Sequence, residues 1–176
     1  IRNFLFYNSQ GTWARSEETL YRGAPTAYTD SPIENVVYVS AHDNQTLFDT
    51  IQAKTDSSVT AEDRFRMQRL GMALVAFSQG VPFFDSGIEL LRSKSLDNDS
   101  FDSGDWFNRL DFTYVTNYFG VGLPPGHVDK NRTNWPAYSA LLRRASELTP
   151  TSLEIQKTLS YFQELLQLRQ STAEFH

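Results

Sequence analysis

The chain has 176 residues, 40% of them hydrophobic and 21% charged, with a formal net charge of −5. That acidic balance offers no electrostatic footing for nucleic acid or anionic lipid, and no apolar run approaches the roughly 20 residues of a membrane span. Without cysteine, disulfide and thiolate chemistry are excluded, and secreted and cytoplasmic settings are both compatible with the sequence.

The opening "IRNFLFYNSQ" has no basic region followed by a long apolar one, so it does not read as a secretory leader. Ile1 in place of Met reads as the start of a mature or excised piece of something longer. "WARSEETL" is a candidate short helix, and "YRGAPTAYTDSP" is a turn-rich connector punctuated by Gly23, Pro25 and Pro32. Val36, Val37, Tyr38 and Val39 then form a continuous apolar run, the pattern of a strand covered on both faces.

Thr46 with Asp49 three residues later predicts a helix start, and Thr60 with Asp63 predicts a second. Phe65, Leu70, Ala73, Leu74 and Phe77 continue that second helix at helical spacing, and Gly80 suits a left-handed C-terminal cap. "VPFF", residues 81–84, is a short strand candidate. The two long stretches "DSGIELLRSKSLDNDSFDSGDWFNRLDF" and "NYFGVGLPPGHVDKNRTNWP" read as irregular loop, with Trp106, Phe107 and Trp135 arguing for packed order. A final helix spans about 151–170, opened by Thr151 and Glu154, with Ile155, Leu159, Phe162, Leu165 and Leu166 on one face.

Strand, helix and strand in that order make a βαβ unit. The expected fold is therefore α/β: the last two βα units of a (β/α)8 TIM barrel, with a long, partly helical loop after the final strand. A whole barrel takes about 250 residues, so the chain is expected to be incomplete on its own. It divides into a connector over 1–30, strand–helix–strand over 36–84, an active-site loop region over 85–150 and a terminal helix over 151–170. Strands of the buried type expect neighbours on both sides, so the remainder of the same barrel is an expected partner.

"YVSAHDNQTLFD" sets an imidazole and a carboxylate at the end of the first strand, where parallel α/β barrels keep their active sites. It resembles the fourth short motif of the α-amylase family of glycoside hydrolases, in the wording of type I pullulanases and limit dextrinases. "LLRSKSLDNDSFDSGDWFNRLD", residues 90–111, resembles the loop after the eighth strand in those enzymes, and "GVGLPP", residues 120–125, agrees. The likeness runs from about Pro25 to the C-terminus. Asp85-Ser86-Gly87 departs from the small-residue pattern often found there, which bears on local loop contacts.

The resemblance implies that Asp43 is the transition-state stabilising aspartate and that His42 binds hydroxyls of the sugar at the cleavage subsite. A fixed carboxylate favours the positive charge that develops as the sugar flattens towards an oxocarbenium ion. Read without the family, Asp43 is a helix N-cap and His42 a buried, backbone-bonded histidine. Asn44 organises the turn into the helix. Arg92 either donates paired hydrogen bonds to glucose hydroxyls or holds a loop carboxylate by a fork-shaped salt bridge. Asp129 is a further, lesser candidate for sugar contact, while Lys94 and Arg109 read as structural or solvated. The aromatic residues, 14% of the chain, serve core packing first and stacking on sugar faces second.

No cofactor is required by this reading. The acidic run Asp97, Asp99, Asp102 and Asp105 lacks the EF-hand glycine, so Asx turns explain it better than a structural calcium, which stays the lesser alternative. His42, His127 and His176 are not spaced as zinc ligands. The acceptor patterns "NQT", "NDS" and "NRT" are discounted as glycosylation sites.

The resemblance implies an endo-acting α-1,6-glucosidase, a retaining debranching enzyme for pullulan and branched α-glucans. Retaining hydrolysis needs a nucleophile and an acid/base about 5 Å apart; in that family these lie on earlier strands, and no part of this chain matches them. Glu34, Glu62 and Glu89 lack the context of the acid/base. Alternatives are a non-catalytic α-glucan-binding polypeptide and an α-1,4-acting relative. A pure 176-residue chain is expected to leave pullulan uncut, which an assay for released reducing ends checks.

Overall fold

A computed structural model describes residues 2–175. The N-terminal stretch makes two small antiparallel sheets: β1 (Leu5–Tyr7) pairs with β2 (Trp13–Arg15), and β3 (Leu20–Tyr21) with β4 (Ala24–Pro25). The helix expected in "WARSEETL" shrinks to a single 3-10 turn, Ser16–Glu18, because Trp13–Arg15 are taken up by the hairpin. The Glu18 carboxylate accepts the Arg15 amide at 3.2 Å, which closes that turn.

Strand β5 (Val36–Val37) leads through the His42–Asn44 turn into α1 (Leu47–Lys54), and α2 (Ala61–Ala76) follows. Both helices start where their threonines predict. The Thr46 hydroxyl accepts the Asp49 amide at 3.1 Å, and the Thr60 hydroxyl accepts the Asp63 amide at 3.2 Å. The turn between these helices is closed from inside by Arg64. Its guanidinium, withdrawn from solvent, donates to the carbonyls of Ile51, Gln52, Thr55, Asp56 and Val59. These include C-terminal carbonyls of α1 that have no partner within the helix. The buried face of α2 is Phe65, Gln68, Met72, Val75 and Ala76, while Leu70 and Leu74 of the expected apolar stripe are exposed. Gly80 takes a positive φ of 108°, but beyond the helix cap. A Cβ there would lie 2.6 Å from the Asn35 carbonyl oxygen, so glycine is required where the chain enters β6 (Val81–Pro82).

The expected barrel units are not found among the described residues. The described residues are rich in helix and hold three two-stranded sheets, and no barrel is formed, so the chain is not two βα units of a (β/α)8 barrel. The parallel pair exists, Val36 with Val81 and Val37 with Pro82, but it is two residues wide. Pro82 has no amide to extend the ladder. Nor is the apolar run covered on both faces: Val36 is 52% exposed and Phe83 44%. A continuous apolar run reports hydrophobicity, and it cannot count neighbouring strands.

Residues 83–128 are largely irregular, as expected, with 3-10 turns at Ile88–Leu90 and Ser100–Asp102 and a short helix α3 (Asp105–Asn108). The region then differs from expectation: Asp129–Leu142 is a helix, α4, with Pro136 inside it. Trp135 on α4 donates its indole N–H to the Pro124 carbonyl at 2.9 Å, tying the preceding loop down. Short α5 (Ala145–Leu148) leads to α6 (Ser152–Ser171), capped by Thr151, whose hydroxyl accepts the Glu154 amide at 3.3 Å.

Two apolar clusters hold these pieces together. In one, Phe48, Phe65, Leu90, Leu91, Leu96, Phe119, Tyr138, Leu148 and Ile155 bring α1, α2, α4 and α6 onto the irregular loop. In the other, Met72 and Ala76 of α2 meet Ile88 and Leu165. Arg169 near the end of α6 donates to the carbonyls of Ala76, Ser78 and Gly80, fixing the path from α2 into β6. Replacing Arg64 by Met keeps the stem but strands its buried carbonyls. Arg64→Met is expected to lower stability by about 3 kcal/mol, read from urea unfolding followed by circular dichroism.

Candidate functional site

The turn between β5 and α1 puts His42, Asp43 and Asn44 on the surface. Asn44 takes a left-handed conformation, φ 60°, which asparagine tolerates, and it redirects the chain into α1. The His42 Nε2 atom lies 3.5 Å from Asp43 Oδ1, and the two side chains are 87% and 78% exposed. An exposed carboxylate and imidazole side by side can offer an acceptor and a donor to adjacent hydroxyls. Neither acts as the helix cap or as a buried structural histidine; Thr46 does the capping.

Beneath this turn runs the loop 91–98, almost wholly buried. Three contacts join the two. The Lys94 ammonium donates to the His42 carbonyl at 3.0 Å, and the Gln45 side-chain amide donates to the Leu96 carbonyl at 3.3 Å. The third is the Asp49 carboxylate in the first turn of α1, which accepts the Ser93 hydroxyl at 2.5 Å and the Lys94 amide at 2.7 Å. The far side of the loop is held as well. Ser93 donates its amide to the Asn117 carbonyl at 3.0 Å, Asn117 donates its side-chain amide to the Leu91 carbonyl at 2.8 Å, and the Ser95 hydroxyl donates to the Gly122 carbonyl at 2.6 Å.

Burial pushes the Asp49 carboxyl up to about 6, against hydrogen bonds from Ser93, Lys94, Leu96 and Thr46 that favour its charged form. Burial likewise pulls the Lys94 ammonium below the usual lysine range, aided by neighbouring Arg92 and opposed by Asp49, Asp97 and Asp85.

Arg92 follows a different path. Its guanidinium donates to the carbonyls of Ser86 and Asn108, at 3.1 and 3.2 Å, so it braces the loop across Gly87. Asp129 opens α4, is exposed and pairs with Arg132. Its helix reaches the loop through Asn131, which donates to Asp97 Oδ1 at 2.8 Å and accepts the Asn98 amide at 2.9 Å. Asp97 Oδ1 also accepts the Asp99 amide at 2.8 Å, an Asx turn. Among the described residues no three His, Cys, Asp or Glu side chains gather where they could hold a metal ion; His176 lies outside those residues. Arg109 lies over the rings of Trp106 and Tyr118, with 5.2 and 4.8 Å to the centroids.

The structure thus brings His42 and Asp43 together and ties them to the "RSKS" loop, while Arg92 and Asp129 are engaged in separate contacts. The sequence marks Lys94 only as structural or solvated and Asp49 only as an acid at a helix start. A signal for Lys94 alone lies in "ELLRSKSLD", where the lysine is set between two serines close behind two leucines.

Residues 114–176 match the family described as "Alpha-1,6-glucosidases, pullulanase-type, C-terminal". The likeness to pullulanases extends along nearly the whole chain. It is 46% identical over 176 residues to pullulanase 1, chloroplastic, of Arabidopsis thaliana, covering 99% of this chain and 18% of that protein. To pullulanase of Klebsiella pneumoniae it is 38% identical over 177 residues, covering 99% of this chain and 16% of the relative. The crystal structure of the apo Klebsiella pneumoniae pullulanase superposes with a TM-score of 0.81 at 39% identity, covering 98% of this chain and 18% of that one. A maltotriose complex of the Klebsiella enzyme superposes equally well. The chain therefore spans about one sixth of the length of these relatives.

Asp49 titrates within a measurable window. An unfolded aspartate releases its proton near 3.8, whereas the folded one holds it to about 6. Between those values the folded state binds more protons, so stability falls as pH rises through the window. The stability of the unsubstituted chain relative to Asp49→Asn is expected to drop by ~2 kcal/mol from pH 4 to pH 6.5, measured by urea titration at each pH.

Proposed function

We propose that this chain is a C-terminal segment of a pullulanase-type α-1,6-glucosidase, contributing Asp43 and His42 to a glucan-cleaving site. The observation that carries the reading is the exposed His42–Asp43 pair, held on a turn that is braced from below by Lys94 and Gln45. The likeness to pullulanases over nearly all of the chain supports the substrate class. The maltotriose found with the Klebsiella protein supports an α-glucan as the ligand.

In this reading Asp43 accepts hydrogen bonds from sugar hydroxyls and stabilises the cation that develops as the glycosidic bond breaks. His42 donates to a neighbouring hydroxyl and fixes the ring. Arg92 serves the site indirectly, bracing the loop through the Ser86 and Asn108 carbonyls, and Asp129 is a further candidate for sugar contact. The nucleophile and the acid/base come from a part of the polypeptide beyond these residues. Apolar side chains left uncovered on β5 and β6, Val36 and Val81 among them, support packing against that additional chain.

The experiment is hydrolysis of pullulan by the longer protein that carries this chain, with and without Asp43→Asn. The substitution is expected to lower kcat by about 10²- to 10³-fold with little change in KM, as for other lost transition-state stabilisers. Equal kcat values would overturn the reading.

A further inference from the structure

Lys94 is 3% exposed, an unusual position for an ammonium group that gains so much from water. Both ends of the residue are held. Its amide is fixed by Asp49 at 2.7 Å, and its side chain ends on the His42 carbonyl at 3.0 Å, a contact that spans 52 residues of sequence. The backbone on either side of Lys94 is strained. Leu91, Ser95 and Leu96 take left-handed conformations with φ of 57°, 48° and 70°, and Asn44 on the facing turn has φ 60°. Side chains rarely hold such angles unless the surroundings over-determine them. Here the surroundings are Asp49, Asn117 and the apolar cluster around Leu91 and Leu96.

We propose that Lys94 is the positioning residue of the His42–Asp43 pair: its buried ammonium pins the His42 carbonyl and so fixes where the Asp43 carboxylate stands over the substrate. This rests on the functional reading above and deepens it. The action runs through the backbone of the turn, and Lys94 itself touches neither substrate nor reacting atoms. With the His42 carbonyl free to rotate, Asp43 and His42 would shift together by the fraction of an ångström that transition-state stabilisation registers and ground-state binding tolerates. Asp49 holds the loop at the right depth for the ammonium to reach.

The test uses the longer protein with Lys94→Met, which keeps the stem and removes the donor, and Lys94→Arg, which restores a cationic donor. Lys94→Met is expected to lower kcat for pullulan by about 10- to 100-fold, to leave KM within about twofold, and to speed hydrogen exchange at the amides of residues 42–45. Lys94→Arg is expected to recover at least half of the lost kcat on a logarithmic scale. Wild-type kcat in Lys94→Met, or fast KM-type losses with unchanged kcat, would overturn the proposal. Should Lys94→Met fail to fold, a folded Lys94→Arg that is 10-fold or more slower than the unsubstituted protein would also overturn it, and one with near-normal kcat would support it. Failure of the functional reading looks different: the unsubstituted protein leaves pullulan intact, and exchange at residues 42–45 in Lys94→Met then decides the positioning claim alone.

Discussion

A buried carboxylate at the start of α1 sets how two distant parts of the chain meet. Asp49 is fully withdrawn from water, and removing a carboxyl group from water is costly unless hydrogen bonds replace what the solvent gave. Ser93, Lys94, Leu96 and Thr46 supply them, and three of the four lie on one loop. The loop can satisfy Asp49 only by lying directly under the first turn of α1. That placement carries Lys94 to the His42 carbonyl and Leu96 to the Gln45 side chain. The surface turn and the buried loop are thus two faces of one polar cluster, and moving either one leaves buried groups unpaired.

What was legible in the sequence was local. Thr46, Thr60 and Thr151 announce their helices because a capping contact reaches three residues, well inside a sequence window. The HDN turn reads in the sequence as the exit of a strand, but β5 ends at Val37 and residues 38–41 between them are irregular. Helix α4 was hidden because Pro136 and the polar run before it read as loop. Its first turns are nevertheless supported by side chains that bond back along the helix: Thr133 to the Asp129 carbonyl and Asn134 to the Lys130 carbonyl. The number of strands was illegible, because Val36–Val39 would read the same beside one neighbour or two. Lys94 could be read only as structural or solvated for a related reason: its partner, 52 residues away, is invisible in a local window.

The chemistry and the packing divide along the same line. Groups proposed to meet substrate, His42 and Asp43, are exposed and make few contacts of their own, so they are free to exchange water for sugar hydroxyls. Groups that make many contacts, Asp49, Arg64 and Asn131, are buried and turned towards carbonyls, amides and hydroxyls of the fold. Such a division lets a site remain rigid while its working atoms stay open, since the hydrogen bonds that fix the geometry are not those that substrate must replace.

The strained leucines show how firmly that geometry is set. A left-handed residue other than glycine costs roughly 1–2 kcal/mol, so glycine at positions 91 and 96 would relax the backbone. Both leucines are completely buried in the larger apolar cluster, however. Cutting a buried leucine back to a small side chain costs about 2–5 kcal/mol through lost burial and the cavity it leaves. Packing therefore outweighs strain at each position, and leucine is the more stable choice despite its backbone. The same comparison explains why the loop has little freedom to adopt another shape. Any path that relaxed Leu91 and Leu96 would withdraw them from Phe48, Phe119 and Ile155, and would draw Ser93 and Lys94 away from Asp49 at the same time.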